Sequence, residues 1–181
     1  LSPTNFVLKE TNRGAGATID TKNLQNGSSY ASAVNLTNTH TVWPLIYDND
    51  ALDAHFGAEK TYDFYYNFYG YHSYDNAGAA INSFVHYNTN YVNCFWNGSV
   101  MTYGDGDGFQ YSPLTSMEIV GHEITHAVTE NSAARVYSGE SGSLNESFSD
   151  IMGNSIRFLN DPSNATWLVG DQIVIPGGGA T

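Results

Sequence analysis

The spacing of apolar residues changes twice along the first hundred residues. Residues 6–47 carry short apolar runs separated by turn sequences, a pattern that predicts strands. From Ala51 to Tyr69, apolar and aromatic residues recur every three or four positions, which predicts a helix capped by Asn49 or Asp50. Residues 80–103 return to short β-type runs. We therefore expect a helix laid against a sheet.

Helical signals return near residue 115. The segment Thr115-Ser116-Met117-Glu118 fits a capping box, which would begin a helix that ends near Asn131. After a loop containing Gly139 and Gly142, a second helix is expected from about 143 to 159. Two helices in succession then follow a region dominated by strands.

These patterns divide the chain into two parts. Residues 1–114 form a β-rich N-terminal domain with one helix near 51–69, and residues 115–181 are helical, with a flexible glycine-rich tail from 176. Strands followed by helices are typical of an α+β fold.

The charge of the chain excludes several classes of partner. It has 6 basic and 18 acidic residues, for a formal net charge of −12. A surface that acidic repels nucleic acid and anionic lipid, so neither is an expected partner. No apolar stretch reaches the length of a membrane span, and the acidic balance suits a secreted protein. Leu1-Ser2-Pro3-Thr4 is not a signal peptide, so an exported protein would be in a processed form.

One acidic segment, Gly104-Asp105-Gly106-Asp107-Gly108, has two interpretations. It could bind calcium, or it could be a tight turn that needs glycine dihedral angles. The segment lacks the closing glutamate of an EF-hand loop, and this favours the turn.

The strongest chemical signal is His122-Glu123-Ile124-Thr125-His126, an H-E-x-x-H motif. Residues four apart share one face of a helix, so both imidazoles can reach one metal ion. Glu123 lies one position round from His122, where it can accept a proton from a water molecule beside the metal. The short motif also arises by chance, but here it lies within a predicted helix that has an apolar face.

The second predicted helix supplies carboxylates at a suitable distance. Nineteen residues separate His126 from Glu146 (146 − 126 − 1), which allows a turn and an antiparallel return. Glu146 can complete a site of two histidines and one carboxylate, the ligand set of many catalytic zinc ions. Asp150 lies four residues later on the same face and can hold the outer nitrogen of a ligand histidine.

Longer segments make the resemblance specific. The segment HEITHAVTE (122–130), followed by SGSLNESFSD (141–150), resembles the thermolysin family of zinc endopeptidases. Upstream segments that fit the same family are YDNDALDAHFGAEKTYDFYYN (47–67), SFVHY (83–87), NCFWNGSVMTYGDGDG (93–108) and TNRGAG (11–16). The resemblance covers nearly the whole chain and implies a β-rich domain, a zinc-binding H-E-x-x-H helix and the start of a helical C-terminal domain.

The resemblance also implies roles for single residues. It makes His122, His126 and Glu146 the zinc ligands and Glu123 the general base, with Asp150 steadying His122. It further implies that Tyr137 stabilises the oxyanion and that Asn93, Cys94 and Trp96 belong to the edge strand that grips the peptide. A pocket for a bulky apolar residue after the scissile bond would be lined by Tyr111, Leu114, Ile119, Val169 and Ile173.

The chain departs from the family pattern in two places. The family's second catalytic histidine and its substrate-binding arginine have no counterpart before Thr181, so we expect this chain to be a fragment whose C-terminal remainder completes the enzyme. Where the family holds a double calcium site, Glu118 is retained but Arg157 replaces a carboxylate. A cation there should repel calcium, and we expect a salt bridge between Glu118 and Arg157 instead.

Three functions fit the motif. The first is a thermolysin-type endopeptidase acting on peptides or proteins. A zinc aminopeptidase shares the three ligands, but its upstream exopeptidase signature is not found in this chain. A non-catalytic zinc-stabilised module would not need Glu123, and structural zinc sites usually close with four protein ligands.

Overall fold

A computed structural model describes residues 5–43, 48–133 and 137–178. The predictions for Leu1–Thr4, for the end of the first β-rich segment at 44–47 and for the last three residues of the tail lie outside the described residues. Across the three described ranges, no helix is both long enough and apolar enough to cross a bilayer.

The order of elements agrees with the predicted succession of strands and helices. The strands are β1 (Phe6–Val7), β2 (Lys9–Arg13), β3 (Ala17–Asn23), β4 (Val34–Asn35), β5 (Thr37–Asn38), β6 (Ile81–Val85), β7 (Cys94–Trp96) and β8 (Met101–Tyr103). The helices are α1 (Asn49–Tyr69), α2 (Met117–Ser132) and α3 (Gly139–Asn160), with a 3-10 turn at Tyr30–Ser32. The α+β fold class is therefore confirmed, while the domain boundary at 114/115 stays a prediction.

The main sheet has the strand order β2-β3-β6-β8-β7, and β4 pairs with the end of β3. Strands β3 and β6 run parallel, because α1 carries the chain back across the sheet between them. Among the residues that the structure describes, β7 pairs with β8 alone, so it is an edge of the sheet. Strands β1 and β5 form a separate two-stranded sheet.

Helix α1 covers the sheet with a face of small residues. Ala51, Ala54 and Ala58 are fully buried and belong to the same apolar core as Ile19 and Ile81 of the sheet. Small side chains at helical spacing allow the helix to lie close to the strands. The predicted helix at 51–69 is confirmed to within two residues.

Helices α2 and α3 touch at glycines. A Cβ atom added to Gly153 would lie 2.3 Å from the carbonyl oxygen of Glu118, and one added to Gly121 would lie 3.1 Å from the Cα of Gly153. A side chain at Gly153 would not fit and one at Gly121 would be unusually tight, so the two backbones meet directly. This close approach fixes the position of His122 along the helix axis relative to the residues of α3.

The predicted helix caps were wrong at two helices. Asp48 caps α1, since its Oδ1 accepts a hydrogen bond from the Ala51 amide at 3.0 Å. At α2 the N-cap is Ser116 rather than the predicted Thr115, and its side chain does not cap the backbone, because its hydroxyl donates to the Glu118 carboxylate at 2.8 Å. The Glu118 carboxylate also lies close to the buried side chain of Arg157.

Helix α3 begins at Gly139, earlier than the predicted start near Ser143. Gly139 and Gly142 were expected in a loop, but Gly142 donates to the Ser138 carbonyl within the first turn. Glycine opposes helix formation only by a modest conformational cost of about 1 kcal/mol, which the packing of α3 on α2 offsets.

Candidate metal centre and peptide cleft

Helix α2 directs two imidazoles toward α3. The Nε2 atoms of His122 and His126 lie 2.8 Å apart. Glu146 on α3 places its Oε2 atom 3.2 Å from His122 Nε2 and its Oε1 atom 3.7 Å from His126 Nε2. Donor atoms of the three side chains all lie within 4.8 Å of one another, so the structure brings together the predicted ligands.

The outer nitrogens of both histidines are held by side chains of α3. His122 Nδ1 lies 2.8 Å from Asp150 Oδ1, and His126 Nδ1 lies 2.9 Å from Asn145 Oδ1. Asp150 thus stands where the sequence predicted it, whereas sequence reasoning missed Asn145. The signal was present, because Asn145 and Ser149 are four residues apart on a face adjoining that of Glu146 and Asp150.

These contacts indicate that a cation fits the site. A carboxylate and an amide oxygen accept hydrogen bonds, so each Nδ1 atom carries hydrogen, and a neutral ring of this tautomer has its lone pair on Nε2. Two lone pairs that face each other at 2.8 Å repel unless a cation lies between them. Two imidazole nitrogens and one carboxylate match the donor set of catalytic zinc, with one position left for water.

Glu123 makes its hydrogen bonds to strand β7. Its Oε2 accepts a hydrogen bond from the Trp96 amide at 2.9 Å, and its Oε1 accepts one from Cys94 Sγ at 3.1 Å. The residue is only 5% exposed. The structure therefore places Glu123 beside the candidate metal centre and in contact with the edge strand.

A cavity of about 640 Å³ separates β7 from helices α2 and α3. Its walls include Asn93, Cys94, Phe95, Trp96, Asn97, Gly98, His122, Glu123, His126, Glu130, Tyr137, Asn145 and Glu146. The predicted edge-strand residues and Tyr137 thus share one cleft with the candidate ligands. Tyr137 is exposed, and its ring lies edge to face against His126 with 5.9 Å between centroids.

Sequence reasoning gave no role to Glu130, which also lines the cleft. Its Oε2 accepts a hydrogen bond of 2.5 Å from the indole nitrogen of Trp96. The contact joins the end of α2 to the edge strand.

The residues predicted to line the apolar pocket come together next to the cleft. Leu114, Ile119 and Ile173 are buried in one cluster, and Tyr111 and Cys94 pack against it. We call these five residues the cleft-side apolar cluster. Val169, which was expected beside them, is 42% exposed and lies outside that cluster.

A second group of possible ligands has different chemistry. Donor atoms of Asp48, Asp50 and His86 lie within 4.8 Å of one another. His86 Nδ1 lies 2.8 Å from Asp105, and Nε2 lies 3.2 Å from Asp48. Hydrogen bonds to Asp105 and Asp48 raise the pKa of His86 to about 10, so both ring nitrogens carry hydrogen and neither offers a lone pair. We assign this group as an ion-pair network rather than a metal site.

The acidic segment 104–108 has the predicted glycine dihedral angles, with φ of 71° at Gly106 and 68° at Gly108, and leads into a hydrogen-bonded turn at 107–111. Asp107 Oδ1 accepts hydrogen bonds from the amides of Phe109, Gln110 and Tyr111 at 2.7–2.9 Å. Asp105 is the partner of His86. Both carboxylates therefore have protein partners.

The predicted salt bridge between Glu118 and Arg157 is confirmed. Arg157 Nη1 lies 3.6 Å from Glu118 Oε1, and the two side chains are 2% and 0% exposed. The shorter contact, at 2.5 Å, joins Nη1 to Asp171 Oδ1, and Nη2 donates to the Asn164 carbonyl at 2.6 Å. Sequence reasoning missed Asp171. A guanidinium thus occupies the space between two carboxylates and a backbone carbonyl.

Comparisons with known proteins agree with this geometry. The sequence profile of the thermolysin metallopeptidase catalytic domain matches residues 2–130, and that of the alpha-helical domain matches residues 133–181. Among curated relatives, bacillolysin from Brevibacillus brevis is 46% identical over 173 residues, and bacillolysin from Bacillus cereus is 45% identical over 181 residues. The matches cover 95% and 98% of this chain and 31% of each relative.

A solved structure supports the same assignment. The precursor of protealysin, a metalloproteinase from Serratia proteamaculans, superposes with a TM-score of 0.81 at 31% identity. The superposition covers 93% of this chain and 52% of that one. The chain belongs to the thermolysin metallopeptidase family, and it spans about a third of the length of the curated relatives that it matches.

Proposed function

We propose that the protein containing this chain is a secreted, zinc-dependent endopeptidase. The observation that carries the proposal is the convergence of His122, His126 and Glu146 on one point, with Glu123 beside them and bound to none of them. A purely structural metal site would need neither the open fourth position nor a carboxylate in that place. Family membership supports a peptidase, and the acidic balance of the chain suits an extracellular one.

The three ligand side chains would hold the zinc ion, and their outer partners would keep them in place. A zinc ion bound there would polarise the scissile carbonyl and lower the pKa of a water molecule. Asp150 and Asn145 fix the tautomers of His122 and His126, so that both Nε2 atoms face the ion.

Glu123 would act as the general base. Its carboxylate accepts the proton of the attacking water and passes it to the leaving amine, a role that contributes roughly 10²–10⁴ in rate. Tyr137 lies across the cleft beside His126, where its hydroxyl would donate to the developing oxyanion. The free edge of β7 would hold the peptide backbone as an added strand.

The cleft-side apolar cluster supports a preference for bulky apolar residues after the scissile bond. Leu114, Ile119 and Ile173 are buried behind Cys94, which packs against them and also lines the cavity. A pocket that opened onto this cluster would carry no charged groups and would favour large aliphatic or aromatic side chains, since each buried CH₂ group contributes about 0.8 kcal/mol.

We further propose that other residues of the complete enzyme pack on α3. Leu144, Phe148 and Ile151 are about half exposed on one face and border an apolar cavity of about 360 Å³. Exposed apolar surface of this kind marks a site of contact with other protein. A C-terminal remainder on this face would close the cleft and supply further donors to the oxyanion.

Replacement of the general base tests the proposal. In the complete natural protein, Glu123→Gln should retain one equivalent of zinc and lose roughly 10²–10⁴ in cleavage of a peptide blocked at both ends. Exposed Glu140 in the first turn of α3 offers a matched control, and Glu140→Gln should leave turnover unchanged. A Glu123→Gln enzyme with most of its turnover would show that the role is misassigned. Cleavage confined to free N-termini would indicate an aminopeptidase.

A further inference from the structure

The general base has two hydrogen-bond donors and no cationic partner among the described residues. Ion pairs within 4 Å are formed by other carboxylates of the described chain, but not by Glu123. Its two oxygens accept instead from the amide of Trp96 and the thiol of Cys94. The orientation of the buried carboxylate therefore depends on two groups of a single edge strand.

The thiol is held firmly in position. Cys94 lies opposite Tyr103 in the antiparallel pair of β7 and β8, and Tyr103 is fully buried. The side chain of Cys94 packs against the core between the sheet and the helices, and also against the buried residues of the cleft-side apolar cluster. These two groups of packed residues restrict the rotation of the side chain, which on its remaining side faces the cavity.

The thiol also remains a donor. Burial, reinforced by the negative charge of Glu123, raises the pKa of the Cys94 thiol well above its usual value. A protonated thiol has one hydrogen to donate, and the nearest acceptor given by the geometry is Glu123 Oε1 at 3.1 Å.

We propose that Cys94 is a positioning residue for Glu123, in that its S–H group fixes the rotation of the carboxylate so that one oxygen faces the attacking water. The Trp96 amide alone restrains one oxygen and leaves the carboxylate free to rotate about that contact. The second donor removes this freedom. This role rests on the proposed function of Glu123 as the general base.

Three substitutions separate the donor from the packing of the side chain. Cys94→Val keeps much of the volume without a donor, Cys94→Ala removes both, and Cys94→Ser keeps a donor. In the complete enzyme, the valine and alanine variants should lose roughly five- to tenfold in kcat with little change in KM, as expected for one weak donor to a charged group. Cys94→Ser should recover most of that loss.

An infrared measurement tests the contact without catalysis. The S–H stretching band of Cys94, isolated by subtracting the spectrum of Cys94→Ser, should lie at the lower frequency of a hydrogen-bonded thiol. It should move to higher frequency in Glu123→Ala. A band unaffected by Glu123→Ala would overturn the proposal whatever the kinetics showed.

The kinetic outcomes also distinguish this proposal from the one on which it rests. If cleavage depends on Glu123 but Cys94→Val and Cys94→Ala keep the wild-type kcat, the positioning role is wrong and the proposed function stands. If kcat falls as far in Cys94→Ser as in Cys94→Ala, the loss of activity comes from altered packing rather than from the lost hydrogen-bond donor. The positioning role is then again wrong. If cleavage does not depend on Glu123, both proposals fail.

Discussion

Replacement of Arg157 tests whether its guanidinium group, rather than a bound metal ion, neutralises the buried carboxylate between α2 and α3. Arg157 is 2% exposed and touches Glu118, Asp171 and the Asn164 carbonyl. Arg157→Met would keep most of the volume and leave the fully buried Glu118 carboxylate without a counter-charge. Breaking a buried pair in this way costs about 3–5 kcal/mol, because one charge stays desolvated.

The loss of stability in Arg157→Met can be measured by urea denaturation of the complete protein. We expect the free energy of unfolding to fall by about 3–5 kcal/mol in Arg157→Met. The double variant Glu118→Gln, Arg157→Met should recover most of this loss, since no buried charge remains. Lys60→Met is a matched control, because its ammonium group lies over the ring of Phe56 at the surface and it should cost less than about 1 kcal/mol.

Calcium titration supplies the second arm of this test. Because the guanidinium occupies the space between Glu118 and Asp171, added calcium should not raise the melting temperature through this site. The reasoning would be refuted if Arg157→Met were as stable as the wild type. Strong stabilisation by calcium that is lost in Glu118→Gln, with an ion located beside residue 157, would refute it equally.

Two further predictions concern the histidines. The pKa of His86 is raised from 6.5 to about 10, so its contribution to stability, on the order of 5 kcal/mol, is fully present below about pH 6.5 and is lost as the pH rises toward 10. His86→Asn, which tolerates the positive φ of 57° at this position, should flatten that decline in urea titrations, and an unchanged pH dependence would contradict the assignment. Asn145→Ala should weaken zinc binding roughly 10–100-fold in chelator competition, while Asn145→Asp should retain the affinity. Wild-type zinc affinity in Asn145→Ala would contradict the proposed support of His126 by Asn145.

The parts of the site that follow from local periodicity could be predicted from the sequence. His122 and His126 share a helix face by their spacing alone, and the distance to Glu146 suffices for an antiparallel return. The contact between Glu118 and Arg157 followed from the same geometry once both helices were placed. Family resemblance added Tyr137 and the edge strand, which no spacing rule would have found.

Other contacts depend on tertiary structure that the sequence pattern does not encode. The cap of α1 is Asp48 rather than its neighbours, and the same carboxylate also pairs with His86, which directly follows β6. Asp171 reaches Arg157 from an irregular segment without periodicity. The hydrogen bond between Cys94 and Glu123 depends on the register of β7 against β8 and on how α2 packs beside that edge. None of these contacts could be predicted from the sequence pattern without the packed structure.

The central claim is that one zinc ion is bound between α2 and α3. Anomalous diffraction at the zinc edge, from crystals of the complete protein, tests it most directly. We predict a single peak bonded to the Nε2 atoms of His122 and His126 and to the Glu146 carboxylate, at about 2.0–2.2 Å. A peak located elsewhere, with these three side chains turned apart, would contradict the account.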